Sequence, residues 1–167
     1  GKYRGKESLL FKDRPHTIQW IKWYSKKEHY FIFGKANQVH LFPKQNAFNT
    51  SVVIYTHFHP KNLVPDYVIQ GLKTLMILNY DILFWTACDH IKNVDFPFQI
   101  YHRSFPNTVS INDRHKIMFS EAILKTKLIK YDYVLSLNDT LIFPIHGVKN
   151  MKESIKNLRK ENDYWSL

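Results

Sequence analysis

From Ser51 onward, short β-branched and aromatic runs alternate with stretches whose apolar residues recur at helical spacing, and no other feature limits the possible folds so sharply. Ser51-Val52-Val53-Ile54-Tyr55-Thr56 is apolar without alternation and bounded by Asn49 and Pro60, which predicts a strand buried on both faces. Val68, Leu72, Leu75 and Met76 follow at i, i+4, i+7 and i+8, with Pro65 where a first helical turn tolerates it, so an amphipathic helix should pack on that strand. Asp81-Ile82-Leu83-Phe84-Trp85-Thr86 reads as a second strand and Phe98-Gln99-Ile100-Tyr101 as a shorter third. Asn112-Asp113 is an N-cap signal ahead of Ile117, Met118, Phe119, Ala122 and Ile123, a helix followed by Lys125, Lys127 and Lys130 in favourable relation to its dipole. Tyr131-Asp132-Tyr133-Val134-Leu135-Ser136-Leu137 returns as a strand, and Val148, Met151, Ile155 and Leu158 trace a last helix. The expected class is α/β: a Rossmann-like, mainly parallel sheet with flanking helices.

In such a sheet the right-handed crossover rule leaves the carboxyl ends of the strands open to ligands. The loops at Thr56 to Pro60, Thr86 to Lys92, His102 to Asn107 and Asn138 to Pro144 are therefore where chemistry should be sought. Composition narrows the field further. The chain has 167 residues, 44% apolar and 16% aromatic, with only 5 Gly and 7 Pro, which excludes collagen-like, linker-like and disordered chains. Apolar runs such as Ile82-Leu83-Phe84-Trp85 stop far short of the roughly 20 residues that cross a bilayer. A single cysteine, Cys88, excludes an internal disulfide and a Cys-rich zinc site and points to a reducing, cytoplasmic compartment. No apolar leader with a small-residue cleavage site is visible, and the start on Gly1 without a Met reads as a fragment.

Net charge is +10, and residues 1–50 hold ten Lys or Arg against three Asp or Glu. This basic, aromatic segment, with Trp20, Lys22, Trp23, Tyr24, Lys26 and Lys27, is open to three readings. It packs on the domain with a solvated basic face, or rests at the inner face of an anionic membrane as a peripheral contact, or stacks single-stranded nucleic acid, the least favoured of the three.

At the strand ends, Asp139 follows an apolar strand and precedes Pro144. A carboxylate there can hold Mg²⁺ or Mn²⁺ against a diphosphate, because hard cations prefer oxygen ligands; an Asn-Asp pair can equally serve only to shape a turn. His57 and His59 leave the first strand on the same side, as a metal pair, a ligand contact or hydrogen-bonded structural residues. Arg103 is either a surface cation or a bidentate partner for a diphosphate. Asp89 is placed to meet a ribose or base, and Cys88 reads as a small buried residue.

Val53-Ile54-Tyr55-Thr56-His57-Phe58, Tyr80-Asp81-Ile82-Leu83-Phe84, the run from Tyr131 to Thr140 with Pro144, and Asp163-Tyr164-Trp165 occur in the order found in the rhamnan synthesis protein F family, which residues 51–167 resemble. The family's Asn-Asp-Ser/Thr, two positions, Gly-Pro motif is met by Asn138, Asp139, Thr140 and Pro144, with Phe143 in place of Gly. The family's Arg-x-Asn-x-Gly-aromatic-Asp-Phe run keeps only its Arg, as Arg103. Asp113 either stands in for the missing acid or serves as a first-turn helix carboxylate, and the helix role is favoured. The resemblance implies a GT-A-like domain over 51–167, incomplete at its C-terminal side, that moves a sugar such as rhamnose from a nucleotide-activated donor to a polysaccharide or lipid-linked glycan. It implies donor contacts from His57, Asp89, Arg103, Asn138, Asp139 and Thr140, with Asp139 on the divalent cation. The alternative is a non-catalytic carbohydrate- or partner-binding domain of the same fold.

Overall fold

A computed structural model of the chain describes residues 42–43, 49–144 and 146–161. Most of the basic segment 1–50 and the Asp163-Tyr164-Trp165 segment lie outside the described residues. Four strands, β1 (Ser51–His57), β2 (Tyr80–Thr86), β3 (Ile100–His102) and β4 (Tyr133–Asn138), form one sheet in the order β3-β2-β1-β4. Every pairing is parallel, with Ser51 opposite both Tyr80 and Tyr133 and Thr56 opposite both Trp85 and Asn138. The α/β class with a parallel sheet is thus what the sequence pattern predicts. Among the described residues no helix is long and apolar enough to cross a membrane.

Among the described residues, three α-helices flank the sheet: α1 (Asp66–Ile77), α2 (Ile111–Lys125) and α3 (Gly147–Glu161), with a 3-10 turn at Leu128–Lys130. Strand alternation sends Val53, Tyr55, Ile82 and Phe84 to one face, where Val68, Ile69, Leu72 and Leu75 of α1 and Met151 and Ile155 of α3 cover them. Ile54 and Trp85 point to the other face, against Met118 and Ala122 of α2. β1 is buried along its whole length, as a central strand covered on both faces must be. It runs one residue beyond the predicted end, so that His57 belongs to the strand and not to the loop after it.

Pro65 sits at the N-cap of α1, one position before the helix. α2 starts earlier than Asn112-Asp113 suggests. Its N-cap is Ser110, whose hydroxyl accepts from the Asp113 backbone N–H at 3.1 Å and donates to the Asp113 carboxylate at 2.8 Å. Asp113 is therefore a first-turn carboxylate that completes the cap. The loop after β4 returns to α1: the Phe143 ring presses on Gly71, where an added Cβ would lie 2.8 Å from Cζ.

Candidate functional site

The chain leaves β1 toward β2 on one side and comes back to β4 on the other, so the topological switch point lies between the carboxyl ends of β1 and β4. Asp139 is the first residue beyond β4 and stands at that point. Its backbone N–H donates to the Thr56 carbonyl at 3.2 Å, extending the pairing of the two strands by one step. Its Oδ2 accepts from the Phe58 backbone N–H at 2.8 Å, and its own carbonyl accepts from the Tyr67 hydroxyl at 2.8 Å. The remaining oxygen, Oδ1, lies 3.5 Å from Nε2 of His115 on α2. His115 Nδ1 is 2.8 Å from the Thr56 hydroxyl.

The carboxylate is 9% exposed, where the sequence pattern suggests an open mouth. The reason is local: β1 runs on through His57, so the Phe58 N–H faces β4 and draws one carboxylate oxygen inward. Burial raises the Asp139 pKa, opposed by the Phe58 N–H and the His115 charge. Burial likewise lowers the His115 pKa against the pull of Asp139, so the imidazole is held toward its neutral form. The Tyr67 hydroxyl, buried and close to Asp139, is pushed up to about 12. Arg114, the residue before His115, lays its guanidinium 4.8 Å from the centre of the Phe58 ring and donates to the Val109 carbonyl. The guanidinium also faces the Phe105 ring at 5.9 Å, so this cation is held among aromatic rings and loop carbonyls.

The other predicted residues divide. Asn138 and Thr140 shape the turn: Asn138 Oδ1 accepts from both the backbone N–H and the hydroxyl of Thr140. His57 is fully buried, with Nε2 on the Leu63 carbonyl at 3.1 Å and Nδ1 on the Thr86 hydroxyl at 2.9 Å. Since a carbonyl only accepts, Nε2 carries the proton and Nδ1 takes the Thr86 O–H, leaving neither nitrogen for a ligand. Burial lowers its pKa to about 4. His59 lies near enough for its charge to act on both His57 and Asp139, while its Nδ1 accepts from the Lys61 N–H and its backbone N–H reaches Cys88 Sγ. Cys88 is buried, with its S–H on the His59 carbonyl at 3.4 Å.

Arg103 Nε donates to Glu121 Oε1 at 3.0 Å and the guanidinium rests on the Phe105 ring, so this cation is held along α2 and not at the β1–β4 junction. Asp89 is exposed beyond β2 and takes no part in the junction contacts. His115 and Tyr67 escape sequence reasoning because each reaches the junction from a helix. The only local signal for His115 is its place one turn after the Ser110 cap, on the side of α2 that turns toward β1.

Among the described residues, no group of three or more His, Cys, Asp or Glu side chains is arranged to hold a metal. Asp139 Oδ1 and His115 Nε2 nevertheless offer one oxygen and one nitrogen 3.5 Å apart, a separation at which two atoms can share a cation. A divalent ion held there would need water or phosphate oxygens for its other positions, and the imidazole is a less usual ligand than a carboxylate for Mg²⁺ or Mn²⁺. Compared with family models, curated proteins and solved structures, the chain finds no match.

Proposed function

We propose that residues 51–167 form the donor-binding part of a GT-A-like glycosyltransferase that moves a sugar such as rhamnose from a nucleotide-activated donor to a polysaccharide or lipid-linked glycan. One observation carries this reading: a carboxylate and an imidazole held toward its neutral form meet at the switch point of a parallel sheet. The resemblance of residues 51–167 to the rhamnan synthesis protein F family supports it, with Asp139 where that family places its late Asn-Asp-Ser/Thr motif.

In this reading Asp139 Oδ1 and His115 Nε2 hold a Mg²⁺ or Mn²⁺ ion, which when bound neutralises charge on the departing nucleoside diphosphate. The Thr56 hydroxyl, which can donate or accept, lies 2.8 Å from His115 Nδ1; with a cation in place it would accept from Nδ1–H and leave the Nε2 lone pair for the metal. The Phe58 N–H fixes the carboxylate through Oδ2 and keeps Oδ1 directed at His115. Orientation of donor and acceptor contributes the rest of the acceleration.

Thermal-shift measurements with nucleoside diphosphates, with and without Mn²⁺, test the proposal. A Mn²⁺-dependent rise in melting temperature that Asp139→Asn and His115→Ala abolish supports it, and equal shifts in all three proteins contradict it. The second reading, a non-catalytic binding domain of the same fold, is favoured by the low exposure of Asp139 and the commitment of Oδ2 to Phe58. Release of nucleoside diphosphate from nucleotide-sugar in the presence of acceptor separates the two, since only the transferase produces it.

A further inference from the structure

The opposite end of the sheet carries a second concentration of charge. A groove of about 350 Å³ opens where the strands begin, lined by Tyr80, Tyr133, Lys152, Lys156, Arg159 and Lys160 together with Leu78 and Ile155. Arg159 is its fixed point. Ser51, Tyr80 and Tyr133 are in register at the starts of β1, β2 and β4, and the Arg159 guanidinium reaches all three. It donates to the Ser51 hydroxyl at 3.1 Å and the Tyr80 hydroxyl at 2.7 Å, and it lies 3.8 Å from the centre of the Tyr133 ring. Its Nε–H is buried without a hydrogen-bond partner among the described residues.

Lys152, Lys156 and Lys160 recur every four residues on one side of α3, three exposed ammonium groups spread along about 12 Å of helix. Among the described residues, none of these lysines and no nitrogen of Arg159 forms an ion pair with a carboxylate. Cations in a last helical turn are ordinary because they offset the dipole, which accounts for Arg159 and Lys160. It does not account for Lys156 and Lys152, about one and two turns earlier. Four cations converging on one concave surface repel one another, and an anion in the groove relieves that repulsion while supplying acceptors to ammonium and guanidinium donors.

We propose that this groove is a binding site for a soluble phosphorylated ligand, separate from the β1–β4 junction, with Arg159 as the preset contact and Lys152, Lys156 and Lys160 closing on the phosphate oxygens. A volume near 350 Å³ suits a small molecule with a phosphate chain, and the concave form favours it over a flat lipid surface. The proposal does not depend on the glycosyltransferase reading, because the two sites occupy opposite ends of the strands.

The test uses the full chain, inorganic tripolyphosphate as probe, and EDTA throughout so that no divalent ion supports binding at Asp139. Calorimetric titration should give saturable binding of one equivalent. Lys152→Glu/Lys156→Glu should weaken it about tenfold or more, whereas Lys127→Glu, an exposed charge reversal elsewhere, should change it less than about threefold. Equal weakening by Lys127→Glu would show attraction to net charge alone and overturn the proposal. So would absence of saturable binding, or pelleting with phosphatidylglycerol vesicles by a protein that does not bind tripolyphosphate. Because the altered lysines are exposed, unchanged melting temperatures confirm that the variants are folded.

Discussion

Acidification should act on this fold through His57, and the size of the effect follows from the surroundings of the ring. The imidazole is fully enclosed, with both nitrogens occupied and the Phe84 ring 5.4 Å away, and burial lowers its pKa from 6.5 to about 4. The unfolded chain takes up a proton at His57 as the pH falls through 6.5, and the folded chain declines it until about pH 4. The stability that a neutral His57 contributes is therefore whole above pH 6.5 and is lost between 6.5 and about 4. Over that window the loss amounts to roughly 3 kcal/mol, and to about 2.5 kcal/mol between pH 7.5 and 4.5. His57→Gln keeps a donor and an acceptor but cannot titrate, and at pH 7.5 it should cost about 2 kcal/mol through poorer packing and hydrogen-bond geometry. Urea unfolding of both proteins at constant ionic strength measures the difference. At pH 4.5 the variant should be as stable as the parent or slightly more so, since His115, Asp139 and the remaining groups titrate in both and cancel. A difference that stays constant from pH 7.5 to 4.5 would refute the argument and show His57 to be protonated inside the fold.

Three further outcomes can be measured with the same equipment. Ser110→Ala removes the cap of α2 and should lower stability by about 1 kcal/mol in urea unfolding. Gly71→Ala drives a Cβ to within 2.8 Å of the Phe143 ring and should destabilise by about 1 kcal/mol net; in a Phe143→Leu background the same change should become neutral or stabilising, because Ala favours the helix interior. Asp139→Asn should change stability by less than about 1 kcal/mol, since the amide oxygen still accepts from the Phe58 N–H while the buried charge is removed, and it should abolish any Mn²⁺-dependent ligand binding. A loss of stability well beyond that would mean the carboxylate serves the fold alone.

The alternation of apolar runs and helical stripes made the α/β class legible, because strands buried on both faces and helices covering them carry different periods. Asp139 was legible as the acid one step past β4. Its surroundings were not: His115 reaches the junction across 24 positions of sequence from a helix that covers the opposite sheet face from α1. The role of His57 was misplaced by a single residue of strand length, which turned an expected loop ligand into a buried member of β1. Arg103 rests on the Phe105 ring and is paired along α2 with Glu121, a partner that lies eighteen positions further along the sequence. The Arg159 groove was invisible because it depends on register, which brings Ser51, Tyr80 and Tyr133 level at the starts of three strands.

Calorimetric titration of a nucleoside diphosphate into the full chain, with Mn²⁺ and then with EDTA, addresses the β1–β4 junction directly when repeated on His115→Ala. Binding in Mn²⁺ that EDTA removes and that the variant lacks, with the fold intact by circular dichroism, is the expected result. Binding that survives both EDTA and the loss of the imidazole would contradict it.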